Sequence, residues 1–133
     1  MIRSVLAALA GFLAWLVVAQ LGDMLLRVAL PGYAAAEPAF AFTLPMMISR
    51  LVLGAACSLA AGFVCSAVAR GRRGAVYGLA AVLLAMFLFL HITQYWAKFP
   101  VWYHLLFLVT LAPLVLGGAV LQRRTRARAL AVH

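Results

Sequence analysis

Residues Ser4–Arg27 read SVLAALAGFLAWLVVAQLGDMLLR. From Ser4 to Gly22 this stretch is almost unbroken apolar, and then Asp23 appears with Arg27 four positions later. Three further spans repeat the plan. Leu51 to Ala69 is preceded by Arg50, Gly74 to Leu90 is followed by His91, and Leu105 to Leu121 is preceded by His104. Spans of this size give roughly 25–29 Å of helix, close to the ~30 Å of a bilayer's hydrocarbon core. The reading is an all-α integral membrane four-helix bundle, with helices over about 4–30, 43–69, 74–96 and 101–122. Residues 123–133 form a basic tail, and the chain is a single membrane domain, 1–133. A β-barrel requires short alternating strands, and none are present.

Composition agrees. The 133 residues are 68% hydrophobic and 10% charged, whereas a soluble domain carries about 25% charged residues. The net charge of +9 sits in short clusters between apolar runs, which argues against nucleic acid as a partner. Arginine supplies all of the basic residues but Lys98, a usage that fits a GC-rich bacterial genome. Arg3 followed by an apolar run, with Val17-Val18-Ala19 as a cleavage site, resembles a signal peptide. The run continues past that point, so it is read as a retained helix.

Arginine placement predicts orientation. One side holds Arg3, Arg70, Arg72, Arg73, Arg123, Arg124, Arg126 and Arg128, and the other only Lys98, with Arg27 and Arg50 near helix ends. Both termini are therefore expected to be cytoplasmic, in the inner or plasma membrane. The connector Pro31–Phe42 and the turn near Lys98–Pro100 are expected to face outward. Trp96, Trp102 and Tyr103, with Tyr95, are expected at the lipid interface. Arg123 and Arg124 are expected at the opposite interface.

In this arrangement Asp23, Arg50, His91 and His104, one from each helix, fall at a common depth. Asp23 and Arg27 form an i,i+4 pair, with Gln20 beside them. His91, Gln94 and Lys98 repeat a 0, +3, +7 spacing on the third helix. The candidate outer polar cluster is thus Asp23, Arg27, Arg50, His91, Gln94 and His104. Glu37, the only other carboxylate, is a candidate lid over it. Either each helix leaves the hydrocarbon at these residues, or the residues converge inside the bundle; the sequence leaves both open.

Other features serve packing. Gly54, Ser58, Gly62 and Ser66 recur at four-residue spacing on the second helix, with Cys57, Ala61 and Cys65 alongside. Ala7 and Gly11 form a small-xxx-small pair, and Gly74 and Gly78 a GxxxG. Such residues let membrane helices approach closely. Cys57 and Cys65, about 12 Å apart along a helix, are too distant to bridge. Pro113 is expected to kink the fourth helix. No catalytic set, P-loop or dinucleotide fingerprint is present, and no enzyme activity is expected. Haem ligation by His91 and His104 is a lesser alternative; no cofactor and no metal is the expectation.

The segment FPVWYHLLFLVTLAPLVLGG (Phe99–Gly118) resembles the last helix of small uncharacterised bacterial four-span membrane proteins. Those begin this helix P-x-W-Y-H-L and carry a later Pro and Gly-Gly, here Pro100, Trp102, Tyr103, His104, Leu105, Pro113, Gly117 and Gly118. The resemblance implies the four-span fold and no particular activity. The first functional expectation is a structural or interaction protein in the lipid bilayer, packing as a homo-oligomer or as a subunit of a larger membrane complex. The alternative is a small-solute or proton-linked transporter or ligand-binding module using the outer polar cluster.

Overall fold

The computed structural model describes residues 1–133. The first apolar run forms α1 (Ile2–Ala29). It stops where Pro31 forces its predecessor out of the helical region: Leu30 is extended, at φ −102° and ψ 115°. Gly32 then takes a left-handed conformation, φ 79°, which glycine adopts without a Cβ penalty. The connector is folded, with a single turn α2 (Tyr33–Ala36) and a 3-10 turn over Glu37–Ala39.

Helix α3 (Leu44–Ala69) starts behind an extended Thr43 and carries Pro45 in its first turn, where no backbone donor is lost. The Thr43 side chain makes no capping hydrogen bond. Arg70 and Gly71, both at positive φ, turn the chain into α4 (Arg73–Leu90). Helix α4 continues as a π-turn, His91–Tyr95, before Pro100 precedes α5 (Val101–Ala131). There are no strands. All four long helices have the length and hydropathy to cross a membrane.

Two boundaries differ from the sequence reading. The third helix leaves α geometry at His91 rather than running regularly to residue 96. The tail read as beginning at residue 123 is the helical continuation of α5, because its Arg, Ala and Leu residues favour helix and nothing after Gly118 breaks it. Pro113 is accommodated within the same helix.

Helix α3 is the hub. It packs against α1 on one side and α5 on the other, while α4 closes the bundle against α5 and α1. The small-residue stripe explains the hub. Gly54, Cys57, Ser58, Ala61, Gly62, Cys65 and Ser66 are all buried. A Cβ on Gly62 would overlap the Val115 carbonyl, and one on Gly118 would overlap the Leu59 carbonyl. The α3 and α5 backbones therefore touch at two reciprocal points, where dispersion and weak Cα–H contacts accumulate. Gly11 is also tightly held, though less so, with its Cβ position 2.7 Å from the Ala61 carbonyl oxygen. Gly74 and Gly78 meet nothing within 4 Å, so this GxxxG does not serve the bundle itself.

Leu9, Leu13, Val17, Val52, Val82 and Val109 point outward from the four helices. An apolar perimeter of this kind suits lipid. Ser66 donates to Gln122 at 3.1 Å, and Met1, Arg3, Val68 and Arg72 border one groove. Both termini and the Arg70–Arg73 turn thus share one end of the bundle. The polar site lies at the other.

Candidate functional site

Asp23 is held from three directions. Arg27 Nη2 lies 3.0 Å from Oδ2, and Arg50 Nη1 lies 3.6 Å from Oδ1. The Tyr33 hydroxyl donates to Oδ1 at 3.0 Å, and Arg50 Nη1 donates to the Tyr33 oxygen at 2.6 Å. Glu37 accepts from Arg27 Nε at 2.8 Å and from Nη2 at 3.3 Å. The order is Glu37–Arg27–Asp23–Tyr33–Arg50: two carboxylates, two guanidiniums and a phenol. Both acidic side chains of the protein are consumed, and the formal charge of the group is zero.

Tyr33 is the residue that sequence reading missed. It is completely buried, delivered by the Gly32 turn onto the ion pair. Burial raises its phenol above the ordinary tyrosine value, although the Arg50 cation pulls the other way. The hydroxyl therefore stays protonated and donates to Asp23. Tyr33→Phe leaves the 3.6 Å Asp23–Arg50 contact in place and deletes both hydroxyl bonds. A hydrogen bond to a charged group is worth about 1.5–3 kcal/mol, and a loss in that range is expected on chemical unfolding in detergent. Pro-Gly ahead of an aromatic residue was the available signal, but it marks a turn without naming the partner.

The second element is a histidine pair. His91 Nδ1 lies 2.7 Å from His104 Nδ1, and both rings are buried. His104 Nε2 lies 3.3 Å from the Trp96 carbonyl oxygen. A carbonyl only accepts, so Nε2 of His104 carries a proton. In the neutral pair His104 Nδ1 is then the acceptor and His91 Nδ1–H the donor. His91 Nε2 is left with a free lone pair and makes no hydrogen bond. Two opposed bonds of ~2 Å would hold the Nδ1 atoms about 4 Å apart, so at 2.7 Å these two nitrogens leave no room for a haem iron held linearly between them.

Aromatic rings knit the two elements together. The Arg50 guanidinium lies 4.8 Å from the Phe42 ring centre. Phe42 stacks on Phe99, which stacks on Tyr103. His91 is stacked at 4.9 Å on Phe107, and Trp96 covers His104 at 5.0 Å. Phe40 sits at φ 53°, unusual for a bulky side chain, and this places its ring 5.8 Å from both Tyr95 and Phe99. These groups enclose a half-open cavity of about 420 Å³ reached by all four long helices and the connector. Asp23, Glu37, Arg50 and His91 lie on its wall. So do Arg50 and Trp15, whose Nε and Nε1 atoms are buried without a partner.

The expected cluster is therefore largely assembled, in two subsets. Asp23, Arg27 and Arg50 form one, with Glu37 over its mouth. His91 and His104 form the other. Arg27 is at the edge, with 46% of its side chain exposed. Gln94 does not join: it is exposed and bonds to nothing. Its 0, +3, +7 stripe fails because i→i+5 winding over His91–Tyr95 widens the turn, so residues three apart no longer stack. Lys98 instead lies 4.3 Å from the Phe40 ring centre.

The interfacial residues also divide. Trp96 and Trp102 are partly exposed, whereas Tyr103, expected at the lipid interface, is buried in the cavity wall at 5% exposure. Arg124 is exposed and Arg123 half-buried at the opposite end. Comparison with known proteins adds no relative: no family model, curated protein or solved structure matches the chain.

Proposed function

We propose that the protein is a multi-pass protein of a bacterial inner membrane, with both termini in the cytoplasm, that binds a small solute in the cavity beneath the Tyr33–Phe42 connector. Orientation rests on the eight arginines at the terminal end against Arg27, Arg50 and Lys98 at the other. The ligand-binding reading rests on one observation above all. Asp23, Arg50 and His91, from three different helices, border a single cavity rather than pointing into lipid. Ionisable groups at membrane depth that face a shared cavity mark ligand or ion pathways.

The test fills the cavity. Ala19 lines it, and Ala19→Trp adds an indole there. Native mass spectrometry of protein extracted directly into lipid nanodiscs should find a small molecule on the wild type that is lost from Ala19→Trp. An empty wild-type protein would overturn the reading. Orientation has its own measurement. A cysteine at Ala34, exposed on the connector, should react with an impermeant maleimide on intact cells, and one at Ala129 only after lysis.

A second reading is favoured by a specific feature. Gly74 and Gly78 face open space with Tyr77, 58% exposed, between them. A helix face of this kind suits close approach by a further membrane helix, so the module can act as a homo-oligomer or within a larger complex. Chemical crosslinking in native membranes, with Gly78→Leu as the control, separates a self-associating protein from a solitary one.

A further inference from the structure

The occupant's chemistry can be read from what the cavity lacks and what it offers, given that the cavity is a ligand site. The charges on its wall are Asp23, Glu37 and Arg50, and with Arg27 behind them they are mutually paired and sum to zero. A charged ligand would have to break one of these pairs. The cavity therefore suits an uncharged molecule.

Among the wall groups that lack a hydrogen-bond partner, Trp15 and Arg50 offer donors whose atoms are themselves buried, Gln20 and Tyr95 can donate or accept, and His91 Nε2 is the one group that can only accept. The Trp96 carbonyl fixes the proton on His104 Nε2, so His104 accepts from His91 Nδ1–H. Phe107 stacks on the His91 ring at 4.9 Å, and the Tyr103 ring lies parallel to it at 6.4 Å. The Nδ1 edge of His91 is taken by His104, and Nε2 is without a partner on a side chain that lines the cavity. This nitrogen accepts a hydrogen bond and has no proton to give. An oxidised quinone, which carries acceptors only, cannot satisfy this nitrogen; a hydroxyl group donates to it and can still accept from a neighbouring donor such as Gln20.

The walls and the entrance narrow the class further. Trp15, Phe87, Phe99 and Phe107 present aromatic surfaces to the cavity, and aromatic groups favour offset or edge contacts with another ring. The volume of about 420 Å³ lies within the range for small-molecule sites. Trp15 and Phe87 touch at 4.6 Å between ring centres. Beyond them α1 makes no substantial contact with the π-turn, and Leu16, Ala19 and Gln20 border the cavity opposite Leu90 and His91. The backbone packing thus leaves a side gap between α1 and the π-turn, at the level of the apolar spans.

The geometry points to an uncharged, membrane-soluble aromatic hydroxy compound, a phenol or hydroquinone head group, entering between α1 and α4 and donating its hydroxyl to Nε2 of His91. Apolar substituents would trail through the gap toward the lipid.

The test uses the full chain in lipid nanodiscs and three probes: 4-propylphenol, its methyl ether 4-propylanisole and 4-propylbenzoate. Equilibrium dialysis against protein-free nanodiscs corrects for partition into lipid. The phenol should bind saturably, one per chain, and at least about tenfold more tightly than the ether or the carboxylate. Ala19→Trp should abolish its binding. In histidine-labelled wild-type protein the His91 Nε2 nitrogen resonance should move with the phenol and stay unmoved with the ether. That measurement needs no variant of the histidine pair. Equal affinity for phenol and ether, or tighter binding of the carboxylate, would overturn the ligand class while leaving the cavity a binding site. Saturable binding of none of the three, together with a wild-type protein that carries no small molecule from cells, would overturn the class and the site together.

Discussion

Asp23→Asn is expected to lower the unfolding free energy by about 2–3 kcal/mol, the larger effect among single changes in the ionic group. Removing one partner of a fully buried ion pair costs about 3–5 kcal/mol, because the other charge is left uncompensated at low dielectric. Here the Asp23 and Arg50 side chains keep 22% and 29% of their surface exposed, so the expectation lies below that range. It lies well above the 0–1 kcal/mol of an exposed pair. The double change Asp23→Asn with Arg50→Gln should recover part of the loss, since it removes the stranded cation as well. Arg27→Gln should do little, because Arg27 is nearly half-exposed and water already screens it. The measurement is unfolding in one detergent for wild type, both single variants and the double variant. Equal stability of all four would remove the partly buried pair from the account.

Gly62→Ala is expected to cost about 3 kcal/mol, although it adds a single methyl group. That methyl would overlap the Val115 carbonyl, and a backbone cannot swing aside as a side-chain tip can. Overpacking a core typically costs about 1–3 kcal/mol, and this position belongs at the upper end. Gly118→Ala should behave alike against Leu59. The pair should cost less than the sum, because once α3 and α5 part at one point the other is relieved. Gly78→Ala is the matched control. With nothing within 4 Å, it should be neutral or gain up to about 1 kcal/mol of helix propensity. Thermal unfolding of the three single variants side by side decides the matter; a Gly62→Ala protein as stable as wild type would mean the helices are farther apart than described.

Much of the architecture was legible because runs long and apolar enough to cross a membrane leave few choices. A backbone inside hydrocarbon must satisfy its own hydrogen bonds, so a long apolar run becomes a helix wherever it stands in the fold. Helix number, the breaks at Pro31-Gly32 and Arg70-Gly71, and the packing role of the Gly54–Ser66 stripe followed from that and from spacing alone. The pairing of Asp23 with Arg27 was legible for the same reason, since i,i+4 neighbours meet in any α-helix. Gln94 shows the limit of such arithmetic. Its expected face held only while α geometry held, and the π-turn at His91–Tyr95 has no signature in the residue types.

The sequence by itself determined what each residue can do: which segments are long and apolar enough to cross a membrane, how the arginines are distributed, and that Asp23 and Glu37 are the only acidic side chains available. It placed Asp23, Arg50, His91 and His104 at one depth without saying whether they met. Depth is a coordinate along the helix axis, and periodicity reports it. Rotation about that axis and the choice of neighbour are set by how α3 wedges between α1 and α5 through Gly62 and Gly118, a contact between residues far apart in the chain. Only the tertiary structure could therefore bring Tyr33 under the Asp23–Arg50 pair, turn Tyr103 from the lipid interface into the cavity wall, and set His91 against His104 with one nitrogen left free.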